Sequence, residues 1–319
     1  MTEQLAPRRP PVVIAHRGAS GYLPEHTLEA KALAHGQGAD YLEQDVVASR
    51  DGRLFVLHDI ELDRTTDVAE RHPERCRADG RWYAIDFDAR ELRALRVTER
   101  LARDGTGARY PERFPVHTGN FRMHTLDEEL EFIRGLNRAT GRDVGIYPEL
   151  KSPAWHRAQG IDLGAEVLAC LERFGYARQG ERVWLQCFDP EELRRLRDAG
   201  CRLPMVQLIA PLPEEQGQWP VGDPLSDAGL AALADTVQAV GPWLGHVLQD
   251  GQDTGFTARA HAAGLEVHPW TLRREELPAG WATFDGLLDA LFGRVGVDGV
   301  FTDFPDLACA ARVRSVAAG

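Results

Sequence analysis

The chain has 319 residues, 43% of them hydrophobic, and a formal net charge of −12. That acidity argues against a nucleic-acid partner or an anionic membrane surface, both of which need a basic footprint. Five scattered cysteines (Cys76, Cys170, Cys187, Cys201 and Cys309) are odd in number and lack C-x-x-C spacing, which argues against a disulfide framework or a zinc knuckle.

The opening MTEQLAPRRPP has no apolar signal-peptide core. No apolar run reaches the ~20 residues that span a bilayer. As written, the chain reads as soluble and cytoplasmic; a signal removed upstream would place it in the periplasm or outside the cell. After Pro10-Pro11, the short apolar run Val12 to Ala15 predicts a strand buried on both faces. Gly18 and Gly21 allow a tight loop, and Thr27 is a plausible N-cap for a helix reaching Gly36. Tyr41 to Val47 predicts a second strand. Asp51-Gly52 predicts a hairpin turn, with Leu54 to Leu57 returning.

From Glu61 to His124 the pattern loosens. The aromatics Trp82, Tyr83, Phe87, Tyr110, Phe114 and Phe121 are too many for a disordered segment. Residues 61–124 are expected to form a small inserted subdomain over the site. Alternation then resumes. Strands are expected over Val144–Leu150, Val183–Phe188, Pro204–Ile209, His246–Gln249, Leu265–Thr271 and Gly299–Thr302. Helices are expected over Leu126–Arg138, Leu163–Phe174, Glu191–Ala199, Ser226–Ala239, Phe256–Ala263, Thr283–Val295 and Pro305–Val313, with a loop from Pro211 to Asp223. Eight strands alternating with helices imply a parallel sheet, and that number favours a closed (β/α)8 TIM barrel over an open doubly wound sheet. The barrel would comprise residues 11–60 and 125–316.

Polar residues stand at the strand ends. Glu43 and Asp45 are two apart in a strand, so both carboxylates share a face. Two close carboxylates repel unless a cation or a proton intervenes. Hard oxygen donors suit Mg²⁺ or Ca²⁺ better than zinc. Alone, such a pair is also common on solvated strands. Glu149 and Lys151 repeat the spacing: Glu149 could complete a metal site, and Lys151 could face a phosphate. His16 and Arg17 end the first strand, and His58-Asp59 ends the returning segment. A lone strand-end histidine is usually structural. Two histidines beside carboxylates and a guanidinium suit general acid–base work on a phosphodiester. Asp59 fits an orienting role. Gln186, His268 and Asp303 are weaker strand-end candidates. Trp270 could pack on the glycerol-sized part of a ligand, or simply be a rim aromatic. The nucleotide-binding glycine patterns, G-x-S-x-G and H-E-x-x-H are absent from the sequence.

The pieces His16-Arg17-Gly18-Ala19, Pro24-Glu25-His26-Thr27, Glu43-x-Asp45, His58-Asp59, Pro148-Glu149-Leu150-Lys151 and Val297-Asp298-Gly299-Val300-Phe301-Thr302-Asp303-Phe304-Pro305 fall in one order along nearly the whole chain. In this combination the chain resembles the glycerophosphodiester phosphodiesterase family, nearest to its longer bacterial type. His26 stands where many members have Asn, which weakens any direct role for that position.

The resemblance implies a (β/α)8 barrel with an insertion after the second strand. It implies one divalent cation, Ca²⁺ or Mg²⁺ with Ca²⁺ slightly favoured, on Glu43, Asp45 and Glu149. His16 and His58 would be the acid/base pair, and Arg17 and Lys151 would bind the phosphate. The reaction would release sn-glycerol 3-phosphate and an alcohol such as choline or ethanolamine. The nucleophile could be the substrate's 2-hydroxyl or a water. The competing readings are a lipid phosphodiesterase of the lysophospholipase D kind and a non-catalytic binding protein on the same scaffold. Monomer and homodimer both stay open.

Overall fold

A computed structural model describes residues 10–176, 182–210 and 223–318, with side chains described as far as residue 315. Eight parallel strands form its centre: β1 Val12–Ala15, β2 Tyr41–Ala48, β3 Gly145–Leu150, β4 Leu185–Cys187, β5 Met205–Ile209, β6 Ala239–Pro242, β7 Glu266–Val267 and β8 Gly299–Thr302. They pair in order from β7 back to β1, and β1 pairs with β8. The backbone closes the ring between β7 and β8: Asp298 N donates to Val267 O at 3.0 Å, Phe301 N to Pro269 O at 3.0 Å, and Leu272 N to Phe301 O at 2.8 Å. The chain is thus a (β/α)8 barrel, as the alternation implied.

Helices cover the outside. The helix Leu126–Thr140 begins with a capping box, in which Thr125 accepts from Glu128 N and Glu128 reaches back to Thr125 N, and its C-cap is Gly141 at φ 69°. Thr27 caps the helix Leu28–Gly36 by accepting from Ala30 N. The main apolar cluster lies between the strands and this helical ring; Leu130, Leu171, Leu193 and Leu287 meet Leu42, Ile146 and Val300 in it. A second cluster fills the barrel itself, with Ile14, Tyr147, Val206, Ala239 and Phe301 at its centre.

One strand was misplaced by sequence pattern. The helix expected over Ser226–Ala239 is Asp227–Ala234, and the sixth barrel strand is Ala239–Pro242 rather than His246–Gln249. Residues Leu244–Val247 form a helical turn, and Leu248–Gln249 pairs with Gln252–Asp253 outside the barrel. The cause is physical. Val237, Ala239 and Val240 are buried beside β5, and a Cβ on Gly241 would stand 2.6 Å from Leu208 Cδ2. A four-residue strand ending Gly-Pro looks like a turn in sequence, although its glycine is there for close packing. The expected loop Pro211 to Asp223 lies, except for Asp223, outside the described residues.

The segment after β2 turns back at Gly52 (φ 74°), and Leu54–Val56 pairs antiparallel with β2. The chain then leaves the barrel. Within 61–124, short helices at Val68–Arg71 and Ala89–Ala94 and an antiparallel pair, Arg96–Val97 with Phe121–Arg122, pack around Leu62, Phe87, Leu92 and Phe121. This third apolar cluster rests on Val47 and Phe55 at the rim of β2.

Candidate active site

One side of each strand points into the barrel, and side chains of one parity follow it. Ile14, Tyr147 and Phe301 belong to the interior cluster, and Tyr41 and Trp184 pack against it. Two residues further along each strand come His16, Glu43, Glu149, Gln186 and Asp303; Asp45 follows Glu43. The register agrees, with Asp45 opposite Glu149 and Glu149 opposite Gln186. The C-terminal end of the barrel interior is therefore polar where its floor is aromatic.

Glu43, Asp45 and Glu149 are all buried, and one oxygen from each lies within 4.8 Å of the others. Their remaining contacts hold them in place. Glu43 accepts from Arg17 N at 2.8 Å and from Gln186 Nε2 at 2.9 Å. Asp45 Oδ2 is 2.6 Å from His26 Nε2. Glu149 Oε1 is 2.6 Å from Lys151 Nζ. Burial and the charge of Asp45 push Glu43 up to about 8. Burial, opposed by Lys151, pushes Glu149 well above the usual carboxylate range. Burial acts on Asp45 too, but Lys151 and His26 outweigh it and hold the group well below its usual value. Asp45 Oδ1 is buried with no hydrogen-bond partner. Three converging oxygen donors, one with an orphaned acceptor, fit a hard divalent cation.

Both histidines are braced through Nδ1. His16 Nδ1 lies 2.6 Å from Asp303 Oδ1, and His58 Nδ1 lies 2.5 Å from Asp59 Oδ1. Anionic partners at Nδ1 place the proton there and leave each Nε2 as the basic atom, which in His16 is 3.4 Å from Thr271 Oγ1. Burial, helped by Arg17, lowers His16 to about 4. Burial, with Arg17 and Lys151, lowers His58 to about 3. Both shifts favour the neutral ring near pH 7.

Arg17 sits at φ 59°, a costly backbone conformation for a side chain of its size, and Gly18 follows at φ 91°. The twist aims Arg17 N at Glu43 while its guanidinium meets Glu25 at 3.0 Å. Arg17 Nε is buried without a hydrogen-bond partner, 3.6 Å from Asp45 Oδ2. Arg100, from the segment 61–124, bonds Glu25 and Asp59 at 2.6 Å each. It ties the loop after β1 to the loop carrying His58. Two adjoining cavities open above these residues: an inner one of about 80 Å³ and an outer one of about 560 Å³.

The model of the glycerophosphoryl diester phosphodiesterase family matches residues 16–307, the span that holds every one of these groups. The chain belongs to that family. It is 43% identical to a glycerophosphodiester phosphodiesterase of Haemophilus influenzae, covering 92% of this chain and 88% of that protein. It is 38% identical to one of Treponema pallidum, covering 93% and 90%. In three dimensions it is similar to a crystal structure from Silicibacter pomeroyi DSS-3, with TM-score 0.73, 26% identity, and 96% and 95% of the two chains covered. It also shares its fold with an Oleispira antarctica phosphodiesterase solved with the product sn-glycerol-3-phosphate, with TM-score 0.65, 22% identity, and 94% and 96% covered. The chain is thus an enzyme of glycerophosphodiester hydrolysis.

In this family member the structure brings His16, Arg17, Glu43, His58, Glu149 and Trp270 to the inner cavity. Asp45 lies just beneath, and Lys151 lines the outer cavity. Trp270 stands edge-on to Phe188 with ring centroids 5.5 Å apart, and its Nε1 donates to Gly241 O. His268 lies lower, on the barrel floor, where Nδ1 meets Tyr147 Oη at 2.7 Å. Several contributors went unassigned from sequence. Asp303 and Gln186 share the parity of Phe301 and Trp184, and that signal could have promoted both. His26 grips Asp45 from a left-handed backbone position (φ 56°), which sequence spacing does not reveal. Glu25, Arg100, Arg113 and Arg273 reach the site from loops, without periodicity to mark them.

Proposed function

We propose that this enzyme cleaves glycerophosphodiesters such as glycerophosphocholine and glycerophosphoethanolamine, with His16 and His58 as its general acid–base pair and one divalent cation held by Glu43, Asp45 and Glu149. The observation that carries this reading is the convergence of three buried carboxylate oxygens within 4.8 Å beside two Nδ1-braced imidazoles. A cation bound there supplies Lewis acidity and neutralises charge on the phosphoryl group. Either Ca²⁺ or Mg²⁺ suits the all-oxygen donor set.

The chain's own groups do the rest. Arg17, whose Nε has no hydrogen bond, and Lys151 bind the phosphoryl oxygens and stabilise the charge that builds there. A bound diester anion favours the imidazolium form, so one histidine can give a proton to the leaving oxygen while the other takes one from the nucleophile. Both act through Nε2, because Asp303 and Asp59 hold the opposite nitrogens. The inner cavity is walled by Phe188, Leu208, Trp270 and Phe301. It takes the glycerol carbons, with Trp270 packed on them. The segment 61–124 acts as a subdomain that walls the mouth, through Arg100 on Glu25 and Asp59 and through Arg113 on Asp303. A coupled assay of sn-glycerol 3-phosphate release from both diesters tests the reading. Release from neither would overturn it.

A further inference from the structure

The outer cavity has a charge that the reaction does not explain. Eight cationic side chains line it against four carboxylates, in a protein whose net charge is −12. One of the four, Glu99, is pushed up to about 8 by burial and the charge of Glu25, which favours its neutral form. Most of the arginines are spoken for. Arg100 pairs with Glu25 and Asp59, Arg113 with Asp303 and Glu275, and Arg109 with Glu276. Arg64 and Arg103 differ. Among the described residues, neither has a carboxylate within ion-pair distance, and Arg64 donates to the carbonyl of Leu101. Both come from the inserted segment, away from the strand ends that carry the catalytic groups.

The aromatic rings here do not offer a cage for a cation. The Arg113 guanidinium lies 4.0 Å from the centre of the Tyr110 ring, with Arg109 at 5.1 Å. Lys151 Nζ lies 5.8 Å from the centre of the Phe188 ring. A quaternary ammonium would meet two rings, Tyr110 and Phe188, whose faces protein cations already share, and the single ring of Trp270, which does not make a cage.

We propose that the outer cavity is the head-group subsite and that Arg64 and Arg103 make it select diesters whose alcohol carries its own anionic group. The inference rests on the phosphodiesterase reading, since it assumes that the glycerol end fills the smaller inner cavity. A single phosphodiester charge is met by Arg17, Lys151 and the metal site. The two uncompensated guanidiniums are therefore left for a second anion, a phosphate or a carboxylate on the alcohol.

The test compares kcat/KM for three diesters of glycerol phosphate: choline (cationic alcohol), glycerol (neutral), and glycerol phosphorylated on its terminal hydroxyl (anionic). The anionic diester should exceed the neutral one at least about tenfold at low salt, equivalent to about 1.4 kcal/mol. Added salt should shrink that ratio, because part of the site is exposed. Arg103→Gln and the double variant with Arg64→Gln should move the ratio toward one. Arg103 is exposed, so its replacement should leave the fold intact. A ratio at or below one in the wild type would overturn the proposal. So would an Arg103→Gln variant that lowers all three substrates equally, since that outcome means long-range steering of any diester. If no diester is cleaved, the hydrolase reading fails, and calorimetric titration with the same compounds still decides whether the cavity prefers the anion.

Discussion

Asp303 Oδ1 stands 2.6 Å from His16 Nδ1, and the other oxygen of the same carboxylate accepts from Arg113 at 2.7 Å and Arg273 at 2.8 Å. One side chain at the end of β8 thus fixes the ring of a catalytic candidate on β1 and anchors two loops. The two guanidiniums and His16 keep Asp303 well below its usual value despite its burial. It stays ionised, so the proton on His16 stays at Nδ1. Asp303→Asn keeps the shape but removes that preference. We expect kcat to fall by on the order of 10²-fold or more, with KM changed far less. Steady-state kinetics on glycerophosphocholine checks the split; a loss confined to KM would mean that Asp303 only shapes binding.

His16→Ala and His58→Ala should each lower kcat by ~10²–10⁴-fold, the usual range for a general acid or base. Both rings line the cavities, so the fold should survive. Circular dichroism and thermal melting are the controls. A well-folded variant with wild-type turnover would show that its histidine is structural.

Glu149→Gln keeps the volume and removes one of the three carboxylates proposed to hold the cation. Ca²⁺ or Mg²⁺ should raise the melting temperature of the wild type, because an ion that binds only the folded state at 100 times its Kd adds about 2.7 kcal/mol. The variant should lose most of that shift. An equal shift in both proteins would place the ion elsewhere.

Acid stability should report a group behind the site. Glu129 is fully buried, 2.8 Å from Lys31 Nζ and 2.6 Å from His124 Nε2, and Lys31 also donates to the carbonyl of Glu43. Burial would raise Glu129, but Lys31 and His124 prevail and lower it from 4.5 to about 2. A carboxylate depressed in the folded state stabilises fully above its unfolded pKa. That contribution is lost as pH falls from about 4.5 towards about 2. Urea unfolding between pH 6 and pH 2.5 should show the loss. Glu129→Gln should flatten that limb and cost about 3–5 kcal/mol at pH 7, since it strands Lys31 unpaired. An acid limb as steep as that of the wild type would assign the titration to other carboxylates.

Most of the barrel was legible because its strands are short apolar runs ending in charge. Val12–Ala15 and Gly145–Leu150 are of this kind, and the two-residue period then carries Glu43, Asp45 and Glu149 to one face. Ala239–Pro242 was not legible, since its Gly and Pro mimic a turn while serving a tight strand contact. The bracing around the site was hidden for another reason. Arg100 meets Glu25 across 75 positions of sequence, and no local pattern encodes such a meeting. Asp303 lies between these cases. It follows Phe301 at the interior parity, but its partnership with His16 needs the ring to close.

The central claim is that Glu43, Asp45 and Glu149 hold one divalent cation on which hydrolysis depends. The most direct measurement is sn-glycerol 3-phosphate release by protein stripped with chelator and then titrated with Ca²⁺ or Mg²⁺. Activity should vanish on stripping and return at one ion per chain. Full activity after rigorous metal removal would contradict the account.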